Sequence, residues 1–270
     1  MERKNIYMCM LAALLSCSDS VKVSRTLDEM PVIFPDYNGV VIPPNIAPLN
    51  FALNDQDAGS WAGFSFGGQQ FEVKGEKGGF VIPPSKWKKL LESAAGNSIQ
   101  VTVQVKQGNE WVAYSPFTIQ VAAEKIDSYL AYRLIDPGYE LWNKMGIYQR
   151  DLESYTQTPI IENKMSGNNC VNCHSFCMQN PDKMLFHMRE TFPGTILVDG
   201  DKIEKLNTKT RETISSLVYP SWHPSGKYVA FSVNTTKQAF HLNDKNRVEV
   251  YDEASDVVVY DVEKHEIVTA

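Results

Sequence analysis

The sequence predicts a mostly β protein in successive parts: a strand-rich N-terminal domain, a largely helical connector, and a second strand-rich segment. Three observations predict it. Residues 100–106 alternate cleanly, with Val101, Val103 and Val105 on one side and Thr102, Gln104 and Lys106 on the other. That period of two is the mark of a half-buried strand. From Glu124 the chain turns rich in Tyr and Trp and reads as helical. From Leu217 short apolar runs and tight turns return, with a turn at Pro224-Ser225-Gly226-Lys227 and a strand over Tyr228–Val233. At 270 residues the chain can form two modest domains with their own cores.

The first residues read as an export signal. Arg3 and Lys4 give a short positive start, and Ile6–Leu15 is an apolar run too short to span a bilayer as a permanent helix. It ends in Leu14-Leu15-Ser16-Cys17, which looks like a lipobox. The expectation is a signal peptide over 1–16, cleavage before Cys17, and acylation of Cys17. An ordinary secretory signal cut elsewhere is the alternative. Residues 17–30 form a polar tether. Residues 31–123 contain short β-runs split by turns such as Pro35-Asp36 and Asn38-Gly39. One helical insert interrupts them, with Ser85 as the expected N-cap and Gly96 as the stop. Short strands at this spacing suggest a β-sandwich, broadly immunoglobulin- or fibronectin-like. Trp61, Trp87 and Trp111 are read as core, with a carbohydrate platform as the rival.

The connector is expected over 124–190, broken at Asp136-Pro137-Gly138. Inside it stands "SGNNCVNCHSFC", residues 166–177. With 5 Cys and 5 His in 270 residues, a chance Cys-x-x-Cys-His is expected about 0.002 times per chain. The spacing suits covalent attachment of haem. Each thiol, Cys170 and Cys173, adds across one vinyl group, and His174 is held beneath the iron as an axial ligand. A zinc site using Cys170, Cys173, Cys177 and a histidine is one alternative, although adjacent Cys173 and His174 fit one tetrahedron awkwardly. A Cys170–Cys173 disulfide is the other. Cys177 has no assigned role.

Asn180-Pro181-Asp182 reads as a helix start, with the helix running to about Glu190. Met184, His187 and Met188 would then share a face toward the haem. His187 is the chosen distal ligand, with Met184 or Met188 as alternatives. Met178 and Met165 are weaker candidates, and an open iron is also possible. Tyr129, Tyr132, Tyr139, Trp142 and Tyr148 are candidate apolar walls, or equally ordinary packing residues. His223, His241 and His265 read as surface or loop histidines.

"LVYPSWHPSGKYVAFSVN", residues 217–234, resembles one blade of the TolB-like β-propellers through Pro220, Trp222, Pro224, Gly226, Lys227, Ala230 and Phe231. With "GIYQRDLESY", "NNCVNCHSF", "PDKMLFHMR" and "ILVDGDKIEKLNTKT", the chain also resembles bacterial envelope lipoproteins that carry a c-type haem motif, often labelled TolB-like or cytochrome c biosynthesis proteins. The resemblance implies haem c on Cys170 and Cys173 with His174 as ligand. It implies the start of a β-propeller, one blade, over 191–270, in a chain cut short after that blade.

Net charge is −6 and no basic run is present, so nucleic acid is not an expected partner. No nucleophile constellation is visible, so an enzyme in the usual sense is not expected. The expectation is an exported, lipid-anchored haem protein on the periplasmic or outer-membrane side of a Gram-negative envelope. It would transfer single electrons or sense redox state with an envelope protein partner. The rivals are a binding or scaffold module with structural haem or none, and a haem enzyme with an open iron.

Overall fold

A computed structural model of the chain describes residues 22–54, 59–135, 144–206, 208–246 and 248–269. The signal segment, Cys17, the expected break at 136–138, Tyr139 and Trp142 lie outside the described residues. Two compact units divide between Ile126 and Asp127.

In the first unit the strands are β1 (Arg25–Thr26), β2 (Ile33–Phe34), β3 (Val41–Ile42), β4 (Phe51–Leu53), β5 (Ser60–Phe66), β6 (Gln69–Lys74), β7 (Gly79–Phe80), β8 (Ser98–Gln107), β9 (Glu110–Ala113) and β10 (Phe117–Val121), with helix α1 (Pro84–Ala94) between β7 and β8. β8 is the spine. It pairs with β5, β9 and β10 inside a seven-stranded sheet. Val101, Val103 and Val105 are fully buried, as their alternation requires. A three-stranded sheet, β2-β4-β7, contributes Ile33, Phe51, Leu53 and Phe80 to the same core.

This differs from an immunoglobulin-like sandwich. The outermost strands β1 and β3 are two residues long and pair in parallel with their neighbours. Much of the core is closed by α1, not by a second full sheet. The helix buries Trp87, Leu90, Leu91 and Ala94, the one-face spacing of an amphipathic helix. Its N-cap is Pro83, with Pro84 at the first helical position, and no side chain caps it; the expected cap, Ser85, lies inside. It stops before Gly96, whose φ of +76° suits a residue without a Cβ. Trp87 is 1 % exposed and its indole N–H donates to the Ile46 carbonyl at 3.1 Å, so it is core.

In the second unit the strands are β11 (Tyr129–Ile135), β12 (Met145–Asp151), β13 (Gln157–Glu162), β14 (Cys170–Phe176), β15 (Lys183–Arg189), β16 (Gly194–Asp199), β17 (Lys202–Leu206), β18 (Val218–Trp222), β19 (Tyr228–Phe240), β20 (Val248–Asp261) and β21 (Glu266–Thr269). The expected helical connector is thus overturned. Among the described residues of this stretch, strands β11 to β15 stand where the helices were expected, with only the short 3-10 turns Asn163–Ser166 and Cys177–Gln179. The segment Lys183–Arg189 hides its strand character because Met184 to Met188 are all buried, so no alternation shows. Leu185 joins a core with Leu197, Val229 and Phe231, while Met184, Phe186 and Met188 join another with Ile147 and Val171. Asn180 starts no helix; it ends the 3-10 turn Cys177–Gln179, its backbone N–H donating to the Cys177 carbonyl. Its side chain accepts the Asp182 N–H at 3.0 Å and its carbonyl the Lys183 N–H at 3.2 Å, a turn into β15.

The expected propeller blade over 191–270 is corrected too. β16 and β17 complete an antiparallel sheet begun by β14 and β15, and only β18–β21 form a further sheet. Among its described residues the second unit is therefore a set of small sheets, of three, four and four strands. The β19–β20 hairpin outgrows its neighbours. β18 reaches only as far as Ser232 and β21 only Val259, so the ribbon from Asn234 to Ser255 projects as two strands. Leu242 at its tip is 87 % exposed.

Candidate functional site

The Cys-x-x-Cys-His stretch lies on β14, the edge strand of its sheet. The loop before it is held by Asn169, which is fully buried. Its side-chain N–H donates to the Ser166 carbonyl at 2.6 Å and its Oδ1 accepts the Phe192 N–H at 2.9 Å. Gly167 ends the preceding 3-10 turn at φ +71°.

Pairing with β15 sets the side chains. Cys170 stands opposite Arg189, Val171 opposite Met188, and Asn172 opposite His187. The register then shifts between Asn172 and Ser175, so Cys173 and His174 share one bulge. Cys173 sits there at φ +48°, a conformation uncommon for any residue but glycine. Such local strain is concentrated at functional sites. Cys170 and Cys173 are half-buried free thiols. Burial pushes the Cys170 thiol up, with Arg189 and then Arg133 pulling the other way.

His174 is half-buried, and burial holds its pKa below the usual histidine value. Hydrogen bonding to the Ala131 backbone on β11 works in the opposite direction. The Phe176 ring lies edge-on to it, with centroids 6.4 Å apart. Arg133, also on β11, donates to Asn172 Oδ1 at 2.6 Å. The second unit therefore gathers two thiols, one imidazole and two guanidinium groups around the start of β14.

His187 does not share a face with Met184 and Met188 in the way a helix would arrange them, because side chains alternate on a strand. His187 is 2 % exposed, and its Nδ1 is hydrogen-bonded to Thr195 Oγ1 at 3.2 Å. Thr195 Oγ1 is in turn 3.3 Å from Thr208 Oγ1. Burial, and then the nearby Arg189 charge, lower its pKa from 6.5 to about 4, so the ring is neutral near pH 7. Met184 and Met188 are buried in the core. Met165 and Met178 are exposed thioethers near the motif in sequence. An open groove of about 500 Å³ lies beside Met178, lined by Phe176, Gln179, Pro220 and Trp222 among others. The Trp222 indole N–H donates to the Ser175 carbonyl at 3.2 Å and ties β18 to the end of β14.

Cys177 is a buried packing residue. A Cβ placed on Gly226 would come 3.2 Å from its Sγ. His223 pairs with Ser225 at 2.9 Å in its turn, His241 with Glu249 at 3.1 Å, and His265 with Glu204 at 3.5 Å. Among the wall candidates, Tyr129 is exposed, Tyr132 half-buried and Tyr148 buried. Among the described residues, no three His, Cys, Asp or Glu side chains converge as a metal-holding group. Sequence reasoning missed Arg133, Arg189, Thr195 and Thr208. Their roles follow from strand register, which a helical reading of the segment conceals. The chain has no significant match to any protein-family model, curated protein or solved structure.

Proposed function

We propose that the chain carries haem c on Cys170 and Cys173, with His174 as one axial ligand, and serves electron transfer or redox sensing at the cell envelope. The observation that carries this reading is the β14 bulge, which sets Cys173 and His174 side by side on the strand that also bears Cys170, with the Ala131 backbone hydrogen-bonding to His174. A ligating imidazole almost always donates its second N–H to a carbonyl or carboxylate, which fixes tautomer and orientation and raises basicity. The donor chemistry fits: two free, half-buried thiols and an oriented imidazole on an edge strand. When bound, haem supplies a one-electron iron couple. The thiols would anchor it and the His174 imidazole would bind the iron, while Val171 and the partly buried Phe176 pack into the core beneath the strand. The acyl chain proposed on Cys17 would tether the centre to a membrane.

His187, bound to Thr195 within the core, takes no part in this proposal. The sixth position is instead open or filled from outside β15. The test is export of the full chain in cells with haem-attachment machinery. Denatured, solvent-extracted protein is expected to outweigh its polypeptide and acyl chains by one haem. Cys170→Ser and Cys173→Ser should each weaken or abolish that gain. A mass explained without haem would overturn the reading and leave an anchored scaffold. Carbon monoxide then divides the roles. A reduced centre that ignores it supports electron transfer, and one that binds it supports sensing at an open iron.

A further inference from the structure

We propose that Arg133 and Arg189 set the redox potential of the centre on Cys170, Cys173 and His174 by favouring its reduced form. The inference rests on the haem reading. It concerns two residues that make no bond to haem and that act through charge alone.

Geometry fixes both cations at the site. Arg189 is held opposite Cys170 by the β14–β15 register. Arg133 is held by its 2.6 Å hydrogen bond to Asn172, which lies between the two cysteines in sequence. Glu190, next to Arg189 in the chain, opposes the two cations with a single negative charge. The local field is therefore positive in a chain whose net charge is −6. Guanidinium groups do not lose their proton in proteins, so this field persists across the working pH range.

The electron balance gives the sign. Reduction moves one electron from a one-electron donor to ferric iron, which becomes ferrous, with no bond made or broken. The centre loses one unit of positive charge. Two fixed cations repel the ferric form more than the ferrous form, so they raise the potential. For charges about 10 Å apart in a water-like dielectric, the effect is about twofold on the reduced-to-oxidised ratio for each arginine. Twofold corresponds to about 18 mV for a one-electron couple.

The experiment is spectroelectrochemical titration of the haem-loaded full chain as wild type, Arg133→Gln, Arg189→Gln and the double variant. Denatured mass is measured on each to confirm one haem. Each single variant is expected to lower the reduced-to-oxidised ratio about twofold at fixed potential, and the double variant about fourfold. Arg133→Lys and Arg189→Lys should keep most of the potential, because charge is retained. High salt should shrink the difference. Loaded variants with an unchanged or higher potential would overturn the inference and leave the haem reading standing. Absence of haem from wild type would overturn both.

Discussion

The two units solve the same packing problem differently. The first gathers both of its sheets and its helix around one large apolar core. The second divides its apolar residues between two smaller clusters, both drawing on strands of the β14–β17 sheet. It also buries a polar chain, His187, Thr195 and Thr208. Non-glycine residues with positive φ follow the same divide. Lys77 lies in the first unit, whereas Asn168, Cys173, Met178, Gln179, Glu190, Tyr219 and His265 lie in the second. Strain of this kind persists only where surrounding structure imposes it, and it concentrates at sites of function. The first unit is built for cohesion. The second gives up cohesion around β14, the strand that bears Cys170, Cys173 and His174.

That contrast can be broken or sharpened by measurement. The largest effect is expected at the centre of the first core. Trp87→Ala removes a side chain that is 1 % exposed together with its bond to Ile46, and should cost about 3–5 kcal/mol in urea denaturation. A loss below about 1 kcal/mol would deny the first unit its single dominant core. Next comes acid. His187 has a pKa of about 4 in the folded chain against an ordinary value of 6.5. The unfolded state therefore binds its proton first as pH falls. The stability is full above about pH 6.5 and is lost as pH falls toward 4, by up to about 3 kcal/mol. Urea midpoints at pH 7, 5.5 and 4 should follow that fall, and His187→Asn should flatten it. A slope unchanged in His187→Asn would assign the acid sensitivity elsewhere. The smallest effect is at the contact between Gly226 and Cys177. Gly226→Ala meets φ +70° and brings a Cβ to 3.2 Å from Cys177 Sγ, a cost of about 1 kcal/mol. Adding Cys177→Ala should return only the crowding share of that loss, read by thermal denaturation.

Legibility follows exposure. β8 is readable because one face meets core and the other meets water, so valine alternates with polar residues. The turn at Gln107–Asn109 and the strand after Lys227 are readable because glycine sits where φ is positive, at Gly108 and Gly226. β15 is not readable, because cores on both faces erase alternation. The Asn-Pro pair before it signals helix starts and turns alike, and only the tertiary setting separates them. Cys170, Cys173 and His174 are legible as a motif. Arg189 lies on a different strand from that motif, and only the β14–β15 register places it opposite Cys170. A helical reading of residues 180–190 carries no such register, so the pairing stays hidden.

The overgrown β19–β20 hairpin has a practical consequence. Its far end, around Leu242 and Asn243, contributes nothing to either core of the second unit. Loop tips of this kind accept inserted sequence readily. A short epitope or fluorophore-accepting peptide grafted there would report where the protein resides in a cell without touching the strand that bears the cysteines.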